Sequence, residues 1–472
     1  MNDRILKPLA WLCLAGLSSA TLAASDDGWF GARSPEQRSL APSQLVEQTG
    51  GQRHNPELDE PAAQHLLDIN QAVHRAVNRH PSIADAIATL AQQGDGIAMA
   101  RSGYYPQVKA GVGYGDTTHT GTSQTATLSA SQMLYDFGKV AGSVSNAEAQ
   151  SRRQQAVVLK QIDQIARQTA EATIDVQRYR LLGRIADEQV STMERIHAMT
   201  QDRAGAGVTS RSDPIQALAR VDAARANQLL LRAQYQQALQ RLRTLVGGPV
   251  SGTIGALSDN QAAAVDLSWR LDTSLLPDVL IAEAERQGAE AQLRQAKASM
   301  RPSVSLDAGS TKALSGDNPT TYERHGTNNS VSINLTQPLY QGGGLRAQQR
   351  AAYNGLEAAR QRSEDARLTA SDQIRILREQ ITGNRARLGV LGSRQRGLNE
   401  SRELYRDQYK LGTRSILDLL NTEQEYYQAL SDVETVRHDL WMGLVGVVDA
   451  QGRSREFYGL NNTTVQGMEV LP

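Results

Sequence analysis

Leu134-Tyr135-Asp136-Phe137-Gly138 closes one sequence pattern, and Lys139-Val140-Ala141 opens another. Upstream, Ala126, Leu128 and Ala130 alternate with Thr125, Thr127 and Ser129, and a period of two gives a strand one apolar and one polar face. Downstream, no proline occurs from Lys139 to Asp202. Along that run Ile162, Ile165, Thr169, Ala172, Val176, Tyr179, Leu182, Ala186, Val190 and Met193 recur at steps of three and four. Such a stripe is the mark of a coiled coil. About 64 residues rising ~1.5 Å each predict a helix on the order of 95 Å long, several times the ordinary length. A strand that runs straight into such a helix sets the class: α+β, with thin sheet and very long helices.

The same pattern occurs twice. Tyr105-Pro106-Gln107-Val108 returns as Arg301-Pro302-Ser303-Val304, a shift of 196 positions. Leu134-Tyr135-Asp136-Phe137-Gly138 returns as Leu339-Tyr340-Gln341-Gly342-Gly343, a shift of 205, and Gly207 and Asp213 return as Gly412 and Asp418 at the same 205. The difference between the shifts falls in the Gly/Ser/Asn/Thr-rich run from Ser310 to Asn329, which predicts a longer loop in the second copy. Residues 63–255 thus form a first repeat, with strands near 103–116 and 123–136 and helices near 139–202 and 213–246. Residues 256–450 form a second, with strands near 301–311 and 328–341 and helices near 345–408 and 414–446. Each long helix reaches a glycine-marked turn, Gly205-Ala206-Gly207 or Gly412-Thr413, and returns through a second helix. Residues 25–62 and 451–472 are extensions without a counterpart.

Residues 1–24 read as a secretory signal: Arg4 and Lys7, the apolar stretch Leu9–Leu17, then Thr21-Leu22-Ala23 as an A-x-A-like cleavage site. The single cysteine, Cys13, lies inside it behind Trp11-Leu12, which do not suit a lipid-anchor signal, so disulfides and thiol catalysis are excluded from the mature chain. With 50 basic and 50 acidic residues the chain is neutral, which argues against nucleic-acid binding. The eight histidines show no metal-ligand spacing, and no acid/base pair or nucleophile constellation stands out, so neither an enzyme nor a metal or other cofactor is expected. No later stretch reaches the roughly 20 apolar residues a spanning helix needs, so any contact with a membrane is through strands. A half-buried soluble hairpin would also alternate. The light apolar faces (Val108, Ala110, Val112; Val331, Ile333, Leu335), strand lengths near those that cross a bilayer and the passage into long helices favour lipid contact. Four strands leave two unpaired edges, which hydrocarbon does not tolerate. Two copies would close about eight strands around a filled interior, whereas three would close about twelve around a lumen. A trimer is expected.

The run Tyr409-Lys410-Leu411-Gly412-Thr413-Arg414-Ser415-Ile416-Leu417-Asp418-Leu419-Leu420 resembles the second periplasmic turn of the TolC family of outer-membrane efflux proteins. The paired Pro106/Pro302 strand starts and Leu134-Tyr135/Leu339-Tyr340 strand ends resemble that family's repeat. The resemblance implies a homotrimer in the cell outer membrane: a twelve-stranded β-barrel continuing into an α-helical periplasmic tunnel. It also implies work with a periplasmic adaptor and an inner-membrane transporter. The absent lipid-anchor cysteine and the Gly-Thr-Arg turn resemble the type I secretion branch. There the transporter is an ABC protein and the exported cargo is a protein, and the chain resembles components that export large RTX-type adhesins. A multidrug efflux duct is the same-architecture alternative, and a periplasmic coiled-coil adaptor or structural protein the alternative of another class.

Carried over by position, Tyr409 and Arg414 are gate-link residues meeting Asp213 and Ser212 at the first hairpin's turn, and Asp418 supplies an acidic entrance ring. The family's second ring aspartate corresponds to Asn421, a departure from its pattern. Asp213 before Pro214 reads equally well as a helix N-cap, whereas Asp418 reads as lying mid-helix. Arg414 could also be an ordinary solvated charge.

Overall fold

The computed structural model describes residues 67–250, 254–255 and 272–470. The expected signal (1–24) and N-terminal extension (25–62), and residues 256–271 at the start of the second repeat, lie outside them. A two-residue strand β1 (Leu67–Asp68) leads into helices α1 (Ile69–Arg79) and α2 (Pro81–Arg101). Strands β2 (Gln107–Thr117) and β3 (Gly121–Tyr135) follow, then helices α3 (Lys139–Gly205) and α4 (Ser212–Val246). Past β4 (Ile254–Gly255), the order repeats as α5 (Pro277–Ala298), β5 (Ser303–Ser315), β6 (Thr327–Thr336), α6 (Gly344–Lys410) and α7 (Ile416–Ala450). A short α8 (Ser454–Phe457) and the hairpin β7 (Thr463–Val465) and β8 (Met468–Val470) end the described chain. Helices α3 and α6 have 67 residues each, and α4 and α7 have 35 each.

The four long strands form one antiparallel sheet in the order β2-β3-β5-β6. Its register puts Val112 opposite Ala126, Ala130 opposite Ala308, and Ala308 opposite Val331. One face therefore carries most of the apolar residues, with Ser310, Lys312 and Asn329 toward one end, and its large side chains are bare: Val112 is 78 % exposed, Val331 76 % and Ile333 70 %. The other face carries Ser129, Ser131, Asp307, Ser332 and Asn334, with Asp307 accepting bonds from Ser131, Ser305 and Asn334. Strands β2 and β6 are the free edges.

Several expected boundaries shift for local reasons. The strand expected from 103 starts at Gln107, because α2 runs on through a 3-10 turn at Ser102–Tyr104 and Pro106 offers no N–H to a ladder. The strand expected over 301–311 extends to Ser315, and the one expected to 341 stops at Thr336, two residues before Pro338. Leu134 and Tyr135 therefore lie inside β3, whereas Leu339 and Tyr340 lie beyond β6 at 89 % and 84 % exposure. Their motifs match in sequence without matching in structure.

The stripe on α3 packs as its spacing implies: Ile162, Ile165, Thr169, Ala172, Val176 and Met193 are each at most 2 % exposed. It feeds three clusters in succession. The largest gathers α1, α2, α3, α7 and the C-terminal hairpin around Ile69, Ile165, Trp441, Leu444, Tyr458 and Val470. Beside it, α8 places Arg455 Nε 3.2 Å from the buried Asp163, while Arg167 lies 3.6 Å from Asp449. Burial pushes Asp163 up to about 7 against the pull of Arg455, and Asp449 up to about 6 against that of Arg167. A second cluster joins α3 to α4 through Val176, Leu239 and Leu242, and the third lies at the hairpin tips.

Candidate functional site

Both long hairpins turn on the same device. Val208 N–H bonds Arg203 O at 2.9 Å and Thr413 N–H bonds Gln408 O at 3.0 Å, each six-residue closure made possible by a left-handed glycine, Gly207 (φ 67°) or Gly412 (φ 79°). Gly205 is instead the last residue of α3, so the turn glycine is Gly207 alone. Below the turns the hairpins pack through Met193 and Ile196 of α3, Val221 of α4, and Ile416, Leu419 and Leu420 of α7.

A cleft of about 300 Å³ between the tips brings together Asp213, Tyr409 and Arg414, with Arg203 and Ile416 in its wall. Proximity is not bonding. Tyr409 is 3 % exposed, its hydroxyl has no hydrogen-bond partner, and the Arg203 guanidinium lies 5.1 Å over its ring. Burial holds the Tyr409 hydroxyl above its ordinary pKa, with Arg203 pulling it down and Asp213 pushing it up. Arg414 folds back on its own hairpin, 4.0 Å over the Tyr405 ring and 3.9 Å from Asp418. Ser212 bonds Ser210 at 2.9 Å and Asp213 at 3.4 Å. Within the protomer, then, neither Tyr409 nor Arg414 bonds Asp213 or Ser212.

Two expectations about caps are corrected here. Helix α4 begins at Ser212, so Asp213 is its second residue and not the N-cap; the Ser210 hydroxyl receives the Ser212 N–H at 3.2 Å instead. Helix α7 begins at Ile416, not near 414, because Ser415 caps it and accepts the Asp418 N–H at 3.2 Å. Asp418 is consequently in the first turn, where a carboxylate meets the positive end of the helix dipole. It has a structural role that a mid-helix reading denied it.

The bonds that do cross between the hairpins involve, apart from Asn421, residues the sequence did not single out. Arg203 donates to Lys410 O at 3.1 Å, and Arg220 reaches Asn421 Oδ1 at 3.0 Å and Gln424 Oε1 at 2.5 Å. Thr192 and Tyr427 share a buried hydroxyl bond of 2.8 Å, and Arg178 pairs with Asp439. Asn421 is thus the acceptor of an inter-hairpin bond. Within the second hairpin Glu423 is wholly buried, 2.5 Å from Arg406 and 3.5 Å from Arg402. The four-residue step from Arg402 to Arg406 hinted at a shared partner, but nothing in the sequence said that Glu423 faces inward. Among the described residues no group of His, Cys, Asp and Glu could hold a metal, and no helix is long and apolar enough to cross a membrane.

Known proteins share this fold. The family described as outer membrane efflux protein matches residues 72–248 and 274–445. Alkaline protease secretion protein AprF of Pseudomonas aeruginosa is 24 % identical over 406 residues, covering 79 % of this chain and 82 % of that one. Outer membrane protein TolC of Salmonella enteritidis is 23 % identical over 437 residues, covering 87 % of each. Among solved structures, the channel CusC superposes with a TM-score of 0.73 at 16 % identity, covering 84 % of this chain and 95 % of its own.

Proposed function

From the chain's membership of the outer membrane efflux protein family, and so of the TolC-like outer-membrane channels, we propose that three copies form the passive exit duct of a type I secretion system. In this reading twelve strands close a barrel in the outer membrane and the long helices of the three copies form a tunnel through the periplasm. An inner-membrane ABC transporter and a periplasmic adaptor complete the pathway, and the cargo is a protein, a large RTX-type adhesin. The observation that carries the reading is the sheet: four strands, two free edges, and a mainly apolar face that leaves Val108, Val112, Val331, Ile333 and Leu335 exposed, joined to 67-residue helices. Such a sheet suits lipid outside and water inside only when closed. The equal helix lengths and the family match in two segments support a duplicated chain. The tips form the gate, with Arg414 and Tyr409 of one copy linked to Asp213 and Ser212 of the next and Asp418 ringing the entrance.

The likeness to a protein named for protease secretion supports the secretion reading, and a similar likeness to a protein named for efflux supports a drug-efflux duct as the second reading. Deleting the chain's gene and restoring it in trans separates the two. A large protein should vanish from the cell surface or medium while antibiotic susceptibility stays unchanged. Raised susceptibility with an intact secretome would establish the efflux duct instead.

A further inference from the structure

One end of the sheet departs from the exposure of the rest. On the polar face Thr127, Ser129 and Ser131 are open to solvent, yet Ser123 of the same face is 4 % exposed. On β5 the partner of Thr125 is Ala313, at 0 %. Register puts Ala313 on the face of Ser131 and Asp307, whose side chains bond each other.

The cover is the β5–β6 connection, residues 316–326, at the end of the sheet away from the long helices. Gly316 (φ 74°) presses so near β3 that a Cβ there would lie 2.5 Å from the Thr122 carbonyl oxygen. Ala313 N–H bonds Gly326 O at 3.0 Å, and a Cβ on Gly326 would lie 2.6 Å from the Thr321 hydroxyl. Asn318 organises the connection and is itself wholly buried. Its amide donates to Thr311 O at 3.0 Å and Gly326 O at 2.9 Å, while its oxygen accepts the N–H groups of Thr320 at 2.9 Å and Thr321 at 3.3 Å. Four bonds satisfy the whole amide, which lets an asparagine sit in a site without water. The short turn at 118–120 of the β2–β3 hairpin has no such nucleus.

We propose that residues 316–326 are an inward-folded rim that narrows the outer mouth of the duct, with Asn318 as the residue that holds it down. The inference rests on the reading above, in which the polar face lines the lumen. Three copies then carry three rims toward one axis at the far end of the barrel. The mouth is set by a folded element with its own buried nucleus, so its width depends on that nucleus staying intact.

The test uses the full chain in bilayers, whose mature part has no native cysteine to interfere. Ala313→Cys should react with a charged, water-soluble maleimide at least about tenfold more slowly than Ser129→Cys, since access requires the rim to open. Adding Asn318→Ala, or replacing 317–325 by a short Gly-Ser turn, should bring the two rates together. Neutral polymers added on the rim side should then enter at a larger size than in the parent, with the cut-off from the hairpin side unchanged. Equal labelling of Ala313→Cys and Ser129→Cys in the parent would overturn the inward fold, and an unchanged rim-side cut-off in the shortened chain would overturn the narrowing. Leu128→Cys on the apolar face separates this from the underlying reading. If it labels with the water-soluble reagent as fast as Ser129→Cys, the barrel itself is wrong and the rim falls with it.

Discussion

At the tips, individual residues divide into those bonded across the hairpins of the chain and those left without such a bond. Arg203, Arg220 and Tyr427 are engaged across the hairpins of one chain, and Asn421 with them. Arg414 and Asp213 share a cleft without a bond, and the Tyr409 hydroxyl beside them is unsatisfied. An unmade bond at a buried hydroxyl costs about 1–3 kcal/mol, so a partner supplied by a neighbouring copy would be stabilising. Exposed charged links contribute only about 0–1 kcal/mol each, which suits the proposed gate, whose opening by an adaptor would have to break them. Arg414→Ser combined with Tyr409→Phe should therefore raise single-channel conductance while the assembly survives electrophoresis intact. Unaltered conductance in an intact assembly would place closure on the Arg203 and Arg220 bonds instead.

Between elements, buried ionisable groups pack among the apolar stripes. Asp163 of α3 faces Arg455 of α8 beside the largest core cluster, with Asp449 and Arg167 close by. Its carboxyl titrates near 3.8 when unfolded and at about 7 when folded, so the folded state binds the proton more tightly. That contribution is complete below pH ~4 and is lost as pH rises through ~7. His438 works in the opposite sense: burial holds it at about 4 against an ordinary 6.5, so its contribution is present above 6.5 and lost on acidification. Thermal melts from pH 4 to 7.5 should show the parent losing stability relative to Asp163→Asn, whose amide stands in for the protonated carboxyl, as pH rises. Parallel curves would assign the proton elsewhere. The element scale also marks what the sequence could say. Alternation and the three-four stripe announced β3 and α3 because each repeats over many residues, so local noise averages out. Helix starts depend on single hydroxyls such as Ser210 and Ser415, so α4 begins two residues before the position an Asp213 cap implies and α7 two residues after the expected 414. Buried polar pairs such as Glu423 with Arg406, or Thr192 with Tyr427, join helices far apart in sequence, and nothing local signals them.

As a whole the isolated chain is an unfinished object. Helix α6 buries six of its 67 residues, leaving Tyr353, Leu368, Val390 and Leu404 more than half exposed. Two sheet edges are unpaired and one sheet face is bare. Each of these surfaces is costly to leave in water or lipid, and one rotation operator that repeats the chain about an axis covers them together. The account stands on that assembly, and chemical crosslinking of the protein extracted from outer membranes in mild detergent tests it most directly. The ladder should rise through two and stop at three, and the three-copy species should keep its strand content on heating beyond the point where the helices melt. A monodisperse single chain that retains its full strand content, or a ladder that stops at two, would contradict it.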